Sequence, residues 1–344
     1  MGCQHPLKMS DFRPISLCNV IYKLVSKVIA NRQKNILPQI ISKNQSVFLF
    51  ERLITDNVLV AYELMHYLEH KNEGKENFMA VKLDMSKAYD CVEWKFIEDV
   101  MEKMRFHEKW IQLIMKCITT VSYSMIINGV VHGSIFPTRG LCKGDPLSLY
   151  LFSLCADGFS SLINEAVRNQ GLSGISICGG CPMVSHLFFA DDSLLFCKAS
   201  EQECRKMIEI LELYEAASGQ KVNVEKSFVI FSHNTPQESR RMVIDILGPM
   251  QDTRHGKYLG LPSIIGRSKT EVFAEVKEKV GRKLVGWKEK LLSIGGKEIL
   301  IKVVVQAVPT YTMNCFLIPK GLCEEIEGKK RREENCLGEL GEDV

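Results

Sequence analysis

Two short stretches of this 344-residue chain hold carboxylates where carboxylates are costly. Asp84 ends an apolar run, Phe78 to Met85, in which Val81, Leu83 and Met85 alternate with Ala80, Lys82 and Asp84. That period of two is the signature of a strand, so Asp84 leaves a buried strand on its own face. Asp191 and Asp192 stand between the apolar runs Val184 to Ala190 and Ser193 to Cys197, which places adjacent carboxylates at a hairpin tip. Hairpin tips also favour Asp for conformational reasons alone. Three carboxylates on neighbouring buried strands, however, repel one another unless a divalent cation compensates them. Hard oxygen donors of this kind suit Mg²⁺, which keeps water and substrate phosphates among its ligands.

Two other constellations invite a metal and have simpler explanations. His66, Glu69 and His70 match the spacing of an inverted zinc-peptidase motif, but a polar helix end rich in His, Glu and Lys explains them without a third ligand. Cys178 and Cys181, followed by His186, match three ligands of a zinc knuckle. Gly179, Gly180 and Pro182 better suit a tight turn between strands.

The elements that position these residues follow from local pattern. Leu17, Val20, Ile21, Leu24 and Val28 fall at helical spacing before Pro38, an amphipathic helix. A second helix starts near Thr55 or Asp56 and runs to Gly74; two more cover 94–104 and 109–118. Asn128-Gly129 between Ser122 to Ile127 and Val130 to Ile135 predicts a hairpin. Asp145-Pro146 reads as an N-cap and first helical residue of a helix ending at Gly171. Ser200 and Glu203 form a capping box, Gly219 closes the helix that follows, and Phe228 to Phe231 is a short strand. Helices mixed with hairpins, without strict strand and helix alternation, predict an α+β fold on an antiparallel sheet.

Apolar residues at 46% and charged residues at 25% are globular values and exclude a collagen or a disordered chain. The formal charge of +3 is too small for the whole chain to announce nucleic acid. Between Gly266 and Lys302, by contrast, ten Lys and Arg face five Glu, a local basic surplus larger than that of the whole chain. A basic helical segment beside an acidic site suits a nucleic-acid duplex, although a solvated helix face is the commoner explanation for such charge. Thirteen cysteines, mostly single and inside apolar stretches, suggest a reducing compartment. No secretory leader pattern and no run of roughly eighteen uninterrupted apolar residues occurs, which argues against secretion and membrane spanning and for an intracellular site, cytoplasmic or nuclear.

The ordered motifs resemble a family. Asp11-Phe12-Arg13-Pro14-Ile15-Ser16-Leu17, Lys82-Leu83-Asp84-Met85-Ser86-Lys87-Ala88-Tyr89-Asp90, Arg139-Gly140-Leu141 with Gly144-Asp145-Pro146-Leu147-Ser148, and Phe189-Ala190-Asp191-Asp192 are similar to the reverse transcriptase of non-LTR, LINE-type retrotransposons, in wording nearest to plant copies. Ser218 to Asn223 with Lys226-Ser227, and Lys257 to Pro262, resemble two further motifs of that family. The resemblance implies a right-hand polymerase fold: partial fingers at 1–77, a palm with an antiparallel sheet at 78–265 (the reverse transcriptase core at 11–265), a helical basic thumb at 266–330 and an aberrant polar tail at 331–344.

It also implies roles. Asp84, Asp191 and Asp192 would bind two Mg²⁺, and Lys226 would protonate the pyrophosphate. Arg13 would clamp the triphosphate of a dNTP, and Tyr89 would exclude a ribose 2′-hydroxyl. Gly144 and Lys143 would lie at the incoming nucleotide, and Tyr258, Leu259, Gly260 and Leu261 would position the primer end. RNA template, DNA primer and dNTPs are the implied partners, with no membrane.

Several positions depart from the pattern. Cys142-Lys143 stands where Arg-Gln is usual, Leu149 where proline is usual, and Phe50-Glu51 where Pro-Gly is expected before Arg52. The resemblance further implies a copy truncated at both ends. Two hypotheses follow: an RNA-directed DNA polymerase, motivated by Asp84, Asp191, Asp192 and Tyr89, or an impaired transposon remnant that retains only nucleic-acid binding, motivated by the departures.

Overall fold

The computed structural model describes residues 16–49, 52–253, 256–265, 269–288 and 306–325, with single positions between and after them (293, 295, 296, 299, 302, 303 and 328). Arg13, Phe50-Glu51, much of the basic stretch after residue 288 and the tail at 331–344 lie outside the described residues. The chain divides into two compact units, Met1–Thr253 and Arg254–Val344. The division precedes the basic stretch, so Tyr258 to Leu261 belongs with the second unit.

In the first unit the order is α1 (Val20–Lys34), α2 (Leu37–Ile40), α3 (Ile54–His70), β1 (Phe78–Ser86), α4 (Trp94–Lys103), α5 (Glu108–Thr119), β2 (Tyr123–Ile127), β3 (Val130–Ile135), α6 (Pro146–Arg168), β4 (His186–Phe189), β5 (Asp192–Lys198), α7 (Glu201–Ser218), β6 (Lys221–Val222), β7 (Phe228–Phe231), α8 (Gln237–Leu247) and β8 (Gln251–Asp252). The main sheet runs β4-β5-β1-β7-β8, with β6 extending along β1. All its pairs are antiparallel except β7 with β8.

Strand β1 is central, and its alternation divides as the sequence predicts. Met79, Val81, Leu83 and Met85 enter the main core with Phe152, Leu154 and Phe159 of α6 and Met207, Leu211 and Tyr214 of α7. On the other positions Phe78 and Ala80 are also buried, and α3 packs against β1, β4 and β7. Coverage weakens toward the end of β1, where Asp84 is partly exposed.

Helix α6 is the core's spine. Asp145 caps it, accepting from the Leu147 N–H (3.3 Å) and the Ser148 hydroxyl (3.3 Å), with Pro146 at the first turn where its missing N–H costs nothing. It is long and apolar enough to cross a membrane, yet 67% of its most apolar window is buried inside the protein. Gly219 ends α7 at φ 74, and a Cβ there would lie 2.5 Å from the Cys91 carbonyl oxygen. The capping box forms by half. The Ser200 hydroxyl accepts from the Glu203 N–H (3.4 Å), but the Glu203 carboxylate turns away to the N–H groups of Lys198 (3.0 Å) and Ser173 (3.1 Å), where it ties two neighbouring loops.

Helix α1 departs from expectation in its face. Leu17, Ile21, Leu24 and Val28 are exposed, and the buried residues are Ser26, Ile29, Ala30 and Gln33. Small side chains at 26 and 30 let α1 lie close to α6, and the Tyr22 hydroxyl reaches Asp145 Oδ2 at 3.2 Å. Apolar spacing announces a helix but does not say which stripe meets the neighbouring element. The hairpin at Asn128-Gly129 forms as predicted, with both residues at positive φ.

In the second unit β9 (Lys257–Tyr258) and β10 (Leu261–Pro262) pair through Leu259 and Gly260, both at positive φ. Tyr258 and Leu261 are buried, and the Tyr311 hydroxyl donates to the Leu259 carbonyl at 3.0 Å. Helices α9 (Lys269–Val272), α10 (Ala274–Lys288) and α11 (Ala307–Cys315) follow. Phe273, Ile318 and Leu322 form the unit's own small core.

Candidate active site

The carboxylates meet where β1 and β5 run out of ladder. Asp84 and Asp192 are direct cross-strand partners in the last pair of that ladder. Cross-strand neighbours place their Cβ atoms about 5 Å apart on one face of the sheet. Phe189 pairs with Asp192, so the β4–β5 turn consists of Ala190, at φ 55, and Asp191. Only Asp191 is therefore at the tip predicted for both. Asp192 opens β5 and faces Asp84, because the tight two-residue turn draws the second aspartate into the ladder.

A residue outside the predicted set completes this group. Lys82, on the same face as Asp84, puts its Nζ 2.9 Å from Asp192 Oδ1 and 3.6 Å from Asp84 Oδ2. Its side chain is 9% exposed, against 34% and 33% for the two carboxylates. The signal was present in the alternation of β1: a lysine two positions before a carboxylate on a buried strand needs an anion on its own face.

The backbone of Asp84 is held from the other side. The Asp84 N–H donates to the Ser227 hydroxyl (3.1 Å), and its carbonyl accepts from the Asn223 N–H (2.8 Å). Asn223 to Ser227 is a turn closed by the N–H groups of Lys226 and Ser227 on the Asn223 carbonyl (3.2 and 3.0 Å). Lys226 is thus carried on a turn bonded to the Asp84 backbone, with its side chain exposed.

Tyr89 follows in the turn after β1. Its ring stacks on Phe152 at 4.3 Å between centroids and 11° between planes. Burial pushes its phenol well above the usual range, and the Asp191 carboxylate and Cys155 add to the rise. The tyrosine hydroxyl is therefore a neutral donor beside the turn that carries Asp191.

The segment 139–145 is docked onto this turn. The Gly140 N–H donates to Val92 O (2.8 Å), the Leu141 N–H to Tyr89 O (2.8 Å), and the Trp94 indole to Gly140 O (2.8 Å). Gly140 adopts φ +91, and a Cβ there would lie 2.7 Å from Asp90 O. Glycine is required twice over, by conformation and by approach. Lys143 Nζ pairs with Asp90 Oδ2 at 3.1 Å, and Gly144 turns the chain at φ +105 with the Ser16 carbonyl close by.

The zinc alternatives do not assemble among the described residues. His66 and His70 stack on each other, and His70 Nδ1 lies 2.9 Å from the His66 carbonyl of its own helix. Cys178 and Cys181 are joined by a disulfide, an exception to the free-thiol usage expected, and the other described cysteines are free. His186, the third position of that knuckle, is fully buried in β4, where its ring nitrogens are taken up by the Ser160 and Ser185 hydroxyls.

Among the described residues no three of His, Cys, Asp and Glu are gathered closely enough to hold an ion as they stand. The donor chemistry nevertheless fits a hard divalent cation. Asp84 and Asp192 offer oxygens from facing strands, are about one-third exposed, and already share one cationic group. Asp191 stands one residue away on the turn.

A central antiparallel sheet with paired carboxylates at the end of its middle strand is the palm of a right-hand polymerase fold. Residues 5–263 match the family model described as "Reverse transcriptase (RNA-dependent DNA polymerase)", and the chain belongs to that family. Several of its relatives carry the names of transposable elements. It is 26% identical over 321 residues to the "Transposon TX1 uncharacterized 149 kDa protein" of Xenopus laevis, covering 90% of this chain and 23% of that protein. It is also 26% identical over 218 residues to a "Retrovirus-related Pol polyprotein from type-1 retrotransposable element R2" of Popillia japonica, covering 61% and 35%. The chain thus spans about a quarter to a third of the length of these relatives. Among solved structures, apo telomerase from Candida tropicalis aligns with 91% of this chain and 51% of its own, at 12% identity and a TM-score of 0.45.

Proposed function

We propose that the chain is the polymerase part of a LINE-type retrotransposon protein, extending a DNA primer on an RNA template with dNTPs. The observation that carries this reading is the facing register of Asp84 and Asp192, with Asp191 on the adjoining turn, inside a chain of the reverse transcriptase family. Asp84, Asp191 and Asp192 would hold Mg²⁺, which supplies a lowered primer-hydroxyl pKa and charge stabilisation at the transferring phosphate.

The chain's own residues supply the rest. The Ser227 and Asn223 bonds fix the Asp84 backbone, so its carboxylate is placed before substrate arrives. Tyr89, braced by Phe152, presents a rigid ring beside Asp191, where it would exclude a 2′-hydroxyl. Gly144 and Lys143 would line the nucleotide site, Lys226 would donate a proton to the departing pyrophosphate, Arg13 would grip the triphosphate, and the Tyr258 to Leu261 hairpin would seat the primer. Fingers before β1, a palm to about residue 265 and a basic thumb after it complete the assignment, with the wording of the motifs pointing to a plant element and the activity to an intracellular compartment.

One observation favours the impaired-remnant reading: Lys143 is engaged by Asp90, where a neutral glutamine would be free to meet the nucleotide. Primer extension on poly(rA) with oligo(dT), Mg²⁺ and dTTP decides between them. Extension by the parent, abolished in Asp84→Ala and Asp191→Asn, is the expected result. Extension retained in either variant would overturn the site assignment, and none from folded parent protein would establish the remnant.

A further inference from the structure

Lys82 is a buried cation beside the candidate site that the proposed chemistry does not use. It is buried, it lies in the strand that carries Asp84, and its ammonium group bridges carboxylates from two strands. An ammonium group taken out of water is tolerated only when anions replace its hydration, and Asp192 Oδ1 at 2.9 Å does so most directly. The same two carboxylates are the oxygen donors that face each other across the ladder. Lys82 Nζ and a divalent cation would therefore draw on one pair of anions.

We propose that Lys82 is a resident counter-cation of the Asp84–Asp192 pair, competing with the divalent cation for those carboxylates and so setting how tightly the ion is held. The proposal rests on the polymerase reading above for the identity of the ion, and on the geometry of β1 and β5 for the role of the lysine. Two consequences follow. Without the divalent ion, Lys82 cancels much of the repulsion between two facing anions and keeps the end of the ladder closed. With the ion, the lysine's charge opposes binding, so the site accepts the ion with moderate affinity and gives it up again.

The test measures the ion directly, without polymerisation. Free Mn²⁺ is titrated by electron paramagnetic resonance against the parent protein, Lys82→Met, Lys82→Arg and Asp84→Asn. Removing a unit charge a few ångströms from a divalent ion should tighten binding in Lys82→Met on the order of tenfold. Lys82→Arg, which keeps the charge, should stay within about threefold of the parent, and Asp84→Asn should lose the site. Melting temperatures supply a second readout. The deficit of Lys82→Met relative to the parent should be largest in EDTA and shrink with saturating Mg²⁺, because the ion then neutralises the carboxylates. A purely structural lysine would leave the same deficit in both conditions.

Unchanged or weaker Mn²⁺ binding in Lys82→Met, with binding still lost in Asp84→Asn, would overturn the role of Lys82 and leave the metal site standing. No binding by the parent would overturn the metal site and the competition together. If Lys82→Met does not melt cooperatively, Lys82→Gln replaces it with the same expectations.

Discussion

Lowering the pH from 7.5 to 5.0 should destabilise the first unit by about 2 kcal/mol through one histidine. His186 is 0% exposed at the start of β4. Its Nδ1 accepts from Asn44 Nδ2 (3.2 Å), whose amide also donates to the His186 carbonyl (3.0 Å), and lies 2.9 Å from the Ser185 hydroxyl. Its Nε2 lies 2.7 Å from the Ser160 hydroxyl. The network assigns the neutral tautomer with the proton on Nε2, and a second proton would face the Asn44 amide. With neutral partners on every side, burial pushes the imidazole down to about 3 from its usual 6.5.

The sign follows from which state takes the proton. A histidine with a depressed folded pKa contributes its full stability above 6.5 and loses it as the pH falls toward 3, because the unfolded chain binds the proton first. At pH 5.0 the loss is about 1.5 pH units at ~1.4 kcal/mol each, or about 2 kcal/mol. Asp157, whose carboxyl is raised chiefly by burial and which bonds the Ser42 N–H in the adjoining network, contributes in the opposite sense. It is common to the parent and to His186→Gln, so its share largely cancels in the difference between them. Urea unfolding of both proteins at pH 7.5 and 5.0 measures the effect, and ¹³C-labelled histidine provides a direct check, since the His186 signal should not titrate above pH 5. An imidazole titrating near 6.5, or a parent-to-variant gap that does not change with pH, would refute the reasoning.

Two further outcomes are expected. Tyr89→Ala should admit rNTPs and lower stability by about 2 kcal/mol through loss of the Phe152 stack; competition between dTTP and UTP in primer extension measures the gate, and unchanged discrimination would place it elsewhere. Gly140→Ala should lower the melting temperature by an amount equivalent to about 1–3 kcal/mol, since its Cβ would meet the Asp90 carbonyl at a positive φ. Wild-type stability in that variant would mean that the 139–145 segment is not docked on the Tyr89 turn.

What the residues announced by themselves was local. Pro146 behind Asp145, Gly219 after α7, Asn128-Gly129 and the period of two through β1 each act within a few positions, through dihedral limits and short hydrogen bonds. Ordered motifs likewise made the family legible, because each one is a contiguous string. The tertiary structure decided what distant segments do to one another. Asp192 faces Asp84 only because β5 pairs with β1 in that register, and one step of slip would turn its carboxylate to the other face of the sheet. Lys82 became part of the site through the same pairing, and Lys143 was drawn to Asp90 when Gly140 and Leu141 bonded the Tyr89 turn. The buried stripe of α1 was set by its fit against α6, with Ser26, Ile29, Ala30 and Gln33 turned inward and Ile21, Leu24 and Val28 left outside. Spacing along a chain encodes an element, whereas register and face are settled by packing energy summed over many residues far apart in sequence.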